Sequence, residues 1–388
     1  MIEGKTTGRS RRIRLGMVGG GQDAFIGAVH RIASRIDDRY ELVAGALSST
    51  PERAARSAAA IGLDPERSYP DFQTMATAEA ARADGIEAVA IVTPNHVHIP
   101  AAKAFLEAGI HVICDKPLAT SLEEGRSLEE VLARSGGVFA LTHNYTGYPL
   151  VRQARAMVEA GELGRIRIVQ VEYPQDWLAE KIEETGHKQA EWRADPARSG
   201  AGGCIGDIGT HAFNLAEFVT AGTVREVCAE MTTFVEGRRL DDDIQILLRF
   251  DGGAKGFLWA SQVAPGHENG LKIRVYGEKA AIEWVQADPN RMIFSPLGGN
   301  QEIVTRNGPG ANAANKRVSR IPAGHPEGYL EGFANLYTEI ADAIAAAQAG
   351  MAPPPDVIYP TLADGLRGLS FIEASIRSSK AGGVWTAI

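Results

Sequence analysis

The residues best equipped for proton chemistry stand at positions 116, 207 and 211. Asp207 and His211 lie four apart in the run Gly202-Gly203-Cys204-Ile205-Gly206-Asp207-Ile208-Gly209-Thr210-His211. That spacing puts both on one face of a helix. A carboxylate beside an imidazole sets its tautomer and orientation, giving a general acid/base that works near neutral pH. The preceding glycines let a ligand approach the backbone closely. The competing structural reading is a helix start capped by Asp207 with a buried histidine. A metal reading would take Cys204, Asp207 and His211 as ligands, but their softness is mixed and no second histidine lies nearby in sequence, so no metal is assigned.

Lys116 belongs to Asp115-Lys116-Pro117, directly after the apolar run His111–Cys114. Pro117 removes a donor and biases Lys116 towards an extended backbone, which fixes where the ammonium points. Beside a carbon that becomes a carbonyl, such a lysine polarises the oxygen or relays its proton. Taken alone, it reads more readily as a surface lysine in a turn.

A third chemical element is the loop Gly19-Gly20-Gly21-Gln22-Asp23-Ala24-Phe25-Ile26-Gly27. It sits between a strand-like run, Ile13–Val18, and helical spacing over Ile26–Ile36. Glycines there permit a tight turn and let backbone N–H groups reach a pyrophosphate at the helix N-terminus. The spacing reads either as Gly19-x-Gly21-x-x-Ala24 or as a longer loop closing at Gly27. Where such folds carry an acidic residue for the ribose 2′-hydroxyl, this chain has Ser48-Ser49-Thr50-Pro51-Glu52-Arg53. Two serines and Arg53 suit a 2′-phosphate, although they also cap and solvate a helix. The cofactor expected is NAD(P), tilted slightly towards NADP.

The elements that must position these residues alternate in the first third. Strands are expected at Ile13–Val18, Glu41–Leu47, Ala88–Val92, His111–Cys114 and Val138–Thr142. Helices are expected at Ile26–Ile36, after Pro51, before Gly109 and over Ser121–Arg134. Alternation of this kind means a parallel sheet covered on both faces. Thr93-Pro94-Asn95 stops the third strand. After about residue 145 strands follow one another, with Asp251-Gly252-Gly253 as a hairpin signal, which implies antiparallel pairing. Pro174–Gly203 reads as a long functional loop, Ile208–Val219 as a helix, and Gly298–Asn315 as a mobile loop. Two helices, near Tyr329–Ala347 and Leu362–Ser378, end the chain. The fold class is therefore α/β: a leader over residues 1–12 without order, a Rossmann domain over 13–143, and an α+β domain with a large open, mostly antiparallel sheet over 144–388.

Composition narrows the function classes. The chain has 388 residues and a formal net charge of -8, which argues against a general nucleic-acid or membrane-surface binder. Three cysteines without a Cys-x-x-Cys pair give no disulfide framework and suit a reducing cytoplasm. No apolar run is long enough for a membrane span. Arg9-Ser10-Arg11-Arg12 lacks the apolar stretch that a twin-arginine signal needs next.

Together, the glycine loop at 19–27, Thr93-Pro94-Asn95-His96-Val97-His98, Asp115-Lys116-Pro117, the run at 202–211 and Asp364-Gly365-Leu366-Arg367 resemble the glucose–fructose oxidoreductase, inositol dehydrogenase and rhizopine-catabolism family (Gfo/Idh/MocA). The resemblance implies hydride transfer between a nicotinamide and a secondary hydroxyl or keto group of a sugar, glycoside or inositol. It implies His211 as proton acceptor, Asp207 tuning it, and Lys116 steadying the substrate oxygen. It places Thr93, Pro94, Asn95, His98, Asp115 and Asn144 along the cofactor, with Trp192 and Arg193 near the nicotinamide or substrate. Tyr145, Tyr148, Gln175, Asp176 and Trp177 are the substrate-side expectations, since carbohydrates favour flat aromatic faces beside polar groups. The family also implies a homodimer or homotetramer. Two departures stand out: Asp115 replaces the usual glutamate, and the glycine loop is longer than usual. The rival classes are a dinucleotide-binding sensor and an NAD-recycling glycosidase-like enzyme.

Overall fold

The computed structural model describes residues 11–22 and 24–388. Of the expected leader, residues 1–10 lie outside the described residues, as does Asp23 of the glycine loop. Arg11 and Arg12 are ion-paired with Glu87 and Asp38.

The first sheet is built from β1 (Ile13–Gly19), β2 (Tyr40–Ala46), β3 (Ala88–Val92), β4 (His111–Cys114) and β5 (Phe139–Leu141). Their order is β2-β1-β3-β4-β5, and every pairing is parallel. β3 is buried along its whole length, as expected of an apolar run covered on both faces. Parallel strands put all their C-terminal ends on one edge. That edge carries the glycine loop, Thr93 and Lys116, and ligands of open α/β sheets bind there. This is the Rossmann dinucleotide-binding fold.

The second sheet has nine strands: β6 (Ile166–Pro174), β7 (Val224–Thr232), β8 (Asp243–Phe250), β9 (Lys255–Ser261), β10 (Lys272–Gly277), β11 (Ala280–Val285), β12 (Arg291–Pro296), β13 (Glu302–Thr305) and β14 (Thr386–Ala387). The order is β13-β12-β11-β10-β6-β9-β8-β7-β14. All pairings are antiparallel except β6 with β9, so the sheet is mostly antiparallel as expected. Hairpin neighbours must run antiparallel, but β6 enters the sheet from the first domain and slots between β9 and β10.

Four helices matter for the site: α1 (Phe25–Ile36), α2 (Thr210–Thr220), α3 (Tyr329–Gln348) and α4 (Leu362–Lys380). α3 is late in sequence yet packs on the first sheet. Phe333, Leu336, Tyr337 and Ile340 share one core with Leu15, Met17 and Val29. The Tyr40 hydroxyl donates to the Tyr337 carbonyl at 3.0 Å, and Arg39 pairs with Asp342 at 2.6 Å.

Three local expectations are corrected. Ser121–Arg134 is two helices, Leu122–Arg126 and Glu129–Ser135. Gly298–Asn315 is not a loop throughout: β13 and a helix at Ala313–Arg317 lie within it, and Asn315 is fully buried, taking a hydrogen bond from the Asn307 amide N–H at 3.0 Å and donating to Gln153 at 2.8 Å. Finally, α2 is preceded by a wider, π-type turn at Ile205–Gly209.

Candidate active site

Two clefts meet at Lys116 and Asp207. The first, about 700 Å³, runs over the edge of the Rossmann sheet. Gly19 and Gly20 form its floor with φ of +79° and +70°, a backbone that side chains disfavour. A Cβ on Gly21 would lie 2.5 Å from the Leu47 carbonyl oxygen. Ala24 opens α1 without any side-chain cap, so the first N–H groups of the helix remain for an anion. Ile26 also lines the cleft, whereas Gly27 packs on Gly20: a Cβ there would stand 2.4 Å from the Gly20 Cα. The loop therefore closes by Gly27 touching Gly20 rather than by Gly27 facing a ligand.

Ser48, Ser49 and Arg53 line this cleft, as do Thr93, Pro94 and Asn95. The Thr93 hydroxyl and the Asn95 amide oxygen are buried without a hydrogen-bond partner among the described residues. Buried polar groups of this kind await a ligand or cost stability. The glycine floor, the uncapped helix and these two oxygens all fit a dinucleotide. Trp192 and Arg193 cover the cleft near Lys116, the guanidinium stacked on the indole at 4.3 Å. His98 is placed elsewhere. It is fully buried, its ring nitrogens 2.8 Å from the Pro117 oxygen and 2.9 Å from the Thr93 oxygen, so it ties the two loops together beneath the cleft.

Lys116 follows β4 and its peptide to Pro117 is cis. The ammonium donates to the Asp207 carbonyl at 2.6 Å and to its Oδ1 at 2.9 Å. Asp115 accepts from the Lys116 amide at 3.0 Å and from the Thr142 hydroxyl at 2.8 Å. The short carboxylate is thus engaged in holding the strand-end turn that aims the lysine. Asp207 Oδ2 accepts from Gln262 at 2.9 Å, with Arg193 Nε 3.3 Å away. Burial by itself raises the Asp207 carboxyl, but the Lys116 and Arg193 charges outweigh it and hold the group well below the usual range.

The second cavity, about 570 Å³, opens on the other side of this pair. His211 lines it from α2. Its ring packs edge-on against Tyr145 at 4.9 Å and His143 at 5.3 Å. Its Nδ1 is buried without a partner, which leaves Nε2 for the cavity. Burial first, then the Lys116 charge, press the His211 pKa well below its ordinary value, so the ring is neutral. No hydrogen bond joins Asp207 to His211 among the described residues. The Asp207 carboxylate is engaged elsewhere, Oδ1 by the Lys116 ammonium and Oδ2 by the Gln262 amide and the Arg193 guanidinium. Asp207 therefore acts on His211 through its charge, not by fixing its tautomer.

Asn144, Tyr145, Gln175 and Trp177 line the second cavity together with Phe25, which faces it rather than the dinucleotide cleft. Tyr148 and Asp176 line neither. Tyr148 is fully buried with its ring stacked on Tyr145, and the Asp176 carboxylate accepts from the Gly266 amide at 3.1 Å. Sequence reasoning missed Gln262, Tyr173, Asn269 and Gln286. The Tyr173 hydroxyl donates to Asn269 Oδ1 at 2.8 Å, Gln175 donates to the same oxygen at 2.8 Å, and Asn269 donates to Gln286 at 2.9 Å. These are single polar residues at strand ends and in a loop. Their only sequence signal is a polar side chain closing an apolar strand. Among the described residues no group of three His, Cys, Asp or Glu side chains is placed to hold a metal ion.

Residues 13–143 match the model of the oxidoreductase family with an NAD-binding Rossmann fold, and residues 151–283 match the Gfo/Idh/MocA C-terminal domain. The chain is a Gfo/Idh/MocA oxidoreductase. Among solved structures, this family member resembles an oxidoreductase from Sinorhizobium meliloti at 56% identity and a TM-score of 0.89, covering 97% of this chain and 99% of that one. An inositol dehydrogenase homolog from Azotobacter vinelandii, complexed with NADH and myo-inositol, matches at 36% identity and a TM-score of 0.90 over 98% of both chains. The levoglucosan dehydrogenase of Pseudarthrobacter phenanthrenivorans is 29% identical over 302 residues, 70% of this chain and 73% of that one. No helix among the described residues is long and apolar enough to cross a membrane.

Proposed function

We propose that this oxidoreductase transfers a hydride between a nicotinamide dinucleotide and a secondary hydroxyl or keto carbon of a sugar, glycoside or inositol. The observation that carries this reading is the junction of the two clefts, where an ion-paired Lys116 and a neutral His211 face the same space. The bound nicotinamide supplies the hydride acceptor for oxidation and the donor for reduction. In oxidation the alcohol carbon gives up its hydrogen with the bonding pair, and the hydroxyl proton passes to the free nitrogen of His211. The Lys116 ammonium stabilises the oxygen as negative charge builds on it. Asp207 holds that ammonium in place from two oxygens. In reduction the imidazolium returns the proton.

The relatives complexed with or named for myo-inositol and levoglucosan support a ring polyol as substrate. Ser48, Ser49 and Arg53 in the dinucleotide cleft support NADP alongside NAD, because the residues directly at the end of β2, Leu47-Ser48-Ser49, bring no carboxylate against a 2′-phosphate. A homodimer or homotetramer in the cytoplasm completes the proposal. The outer face of the large sheet exposes Ile168 beside Tyr276 and Leu247 beside Phe257, and contiguous apolar surface of this kind marks an interface.

Fluorescence titration with NADH and NADPH, followed by an absorbance screen for reduced nicotinamide over inositols, pyranoses and glycosides, tests the reading. Binding with turnover on any ring polyol supports it. Binding without turnover on any of them favours a sensor, glycoside cleavage without net reduced cofactor favours a recycling glycosidase, and no binding of either dinucleotide defeats the proposal.

A further inference from the structure

Phe25, the first residue of α1, is 67% exposed, an unusual state for a phenyl ring inside a functional cleft. It ends the glycine loop, yet it lines the second cavity and not the dinucleotide cleft. Its ring is stacked on Tyr329 with centroids 6.3 Å apart and planes 28° from parallel. Tyr329 opens α3 and makes edge contacts with Phe333 at 5.3 Å and Tyr145 at 6.5 Å. Tyr145 in turn touches His211 at 4.9 Å. Ring contacts therefore run unbroken from Phe25 to the imidazole, and both ends of this chain border the same cavity.

Polar side chains stand elsewhere around the same cavity. Gln175, Asn269 and Gln286 bring amide groups that are already hydrogen-bonded to one another. A cavity with an apolar aromatic side and an amide side matches a six-membered polyol ring. Its hydroxyls radiate outwards, and its C–H bonds make an apolar face that stacks on aromatic rings.

We infer that Phe25, backed by Tyr329, is a specificity-determining residue whose ring receives the C–H face of the substrate. This rests on the hydride-transfer reading above. The residue before it, Ala24, lines the dinucleotide cleft, so the two roles must be separated by measurement. Steady-state kinetics on the full chain would compare wild type with Phe25→Ala, Phe25→Leu and Phe25→Trp. The probes are myo-inositol, levoglucosan and the ring polyol with the highest rate in the screen, with NADH affinity read by fluorescence. Phe25→Ala is expected to raise KM about tenfold, which is about 1.4 kcal/mol. kcat and NADH affinity stay near the wild-type values. Phe25→Leu restores little, because it supplies area without a flat face, and Phe25→Trp restores most of the loss. An unchanged KM in Phe25→Ala, or full recovery by Phe25→Leu, overturns the inference. Weakened NADH binding with KM intact also overturns it and hands Phe25 to the dinucleotide. No turnover by wild-type protein on any ring polyol removes the reading underneath, a result distinct from turnover that ignores Phe25.

Discussion

Lys116 holds Asp207 twice, through its carboxylate at 2.9 Å and through its backbone carbonyl at 2.6 Å. The second contact fixes the turn on which Asp207 sits, so the pair is one mechanical unit joining the Rossmann sheet to the start of α2. Substituting either partner is expected to lower kcat by a factor on the order of 10² or more. Because the two act as a unit, the double variant Lys116→Ala/Asp207→Asn is expected to lose little more than either single variant. Fully additive losses in the four-member cycle would show that the two residues work independently.

His211→Ala is expected to reduce turnover by about 10²–10⁴ while NADH affinity changes little. The pH profile carries a second expectation. A neutral imidazole accepts a proton only above its pKa, and burial and the Lys116 charge press that pKa well below 6.5. For oxidation, the acid limb of kcat/KM attributable to this group therefore lies well below pH 6.5. A limb centred on the ordinary histidine value would mean that the ring titrates as if exposed.

Cofactor choice is predicted to hinge on Ser48. Ser48→Asp places a carboxylate where a 2′-phosphate would sit and shifts the ratio of kcat/KM values from NADP towards NAD by about tenfold or more. Measuring both cofactors with wild type and variant decides the point, and an unaltered ratio would place the ribose elsewhere.

Buried histidines set the response of stability to acid. Burial lowers His30 to about 4 and His143 to about 3, and presses down His211 and His98 as well. Their folded values lie below the unfolded one, so between the two the unfolded chain binds more protons. The contribution is whole above pH 6.5 and is lost as pH falls through that window, at about 1.4 kcal/mol per pH unit for each ring. Guanidinium midpoints are expected to drop steeply from pH 7 to pH 5, and His30→Leu is expected to flatten that slope.

Much of this was legible in the residues, for reasons that are physical. Strand β3 is a pure apolar run stopped by Thr93-Pro94, and its expected bounds, Ala88–Val92, are the observed ones. Lys116 and Asp207 each sit beside a strong local signal, a proline and a glycine cluster. What stayed hidden depends on long-range placement. Gln262 reaches Asp207 from a position 55 residues away in sequence, across β9, and nothing in its own neighbourhood announces this. The π-type turn at Ile205–Gly209 is equally silent, since its residues read as the start of an ordinary helix. Just before it, Gly203 is packed so closely that a Cβ would lie 2.3 Å from the Asp241 oxygen. Tyr148 misled because an aromatic at the domain junction reads the same whether it faces a ligand or a core.

The packing of α3 on the first sheet has a consequence for how the molecule is made. Strands β1 to β5 are synthesised by residue 141, but the core they share with Phe333, Tyr337 and Ile340 waits for some two hundred further residues. At a ribosomal pace of about 5–20 residues per second, that is a delay of roughly 10–40 s. During this interval that face of the nascent sheet has only the partial cover of α1, through Val29 and Ala33. The nucleotide domain is therefore expected to be a client of chaperones until α3 has been made, and a fragment ending near residue 143 is expected to aggregate rather than bind NADH.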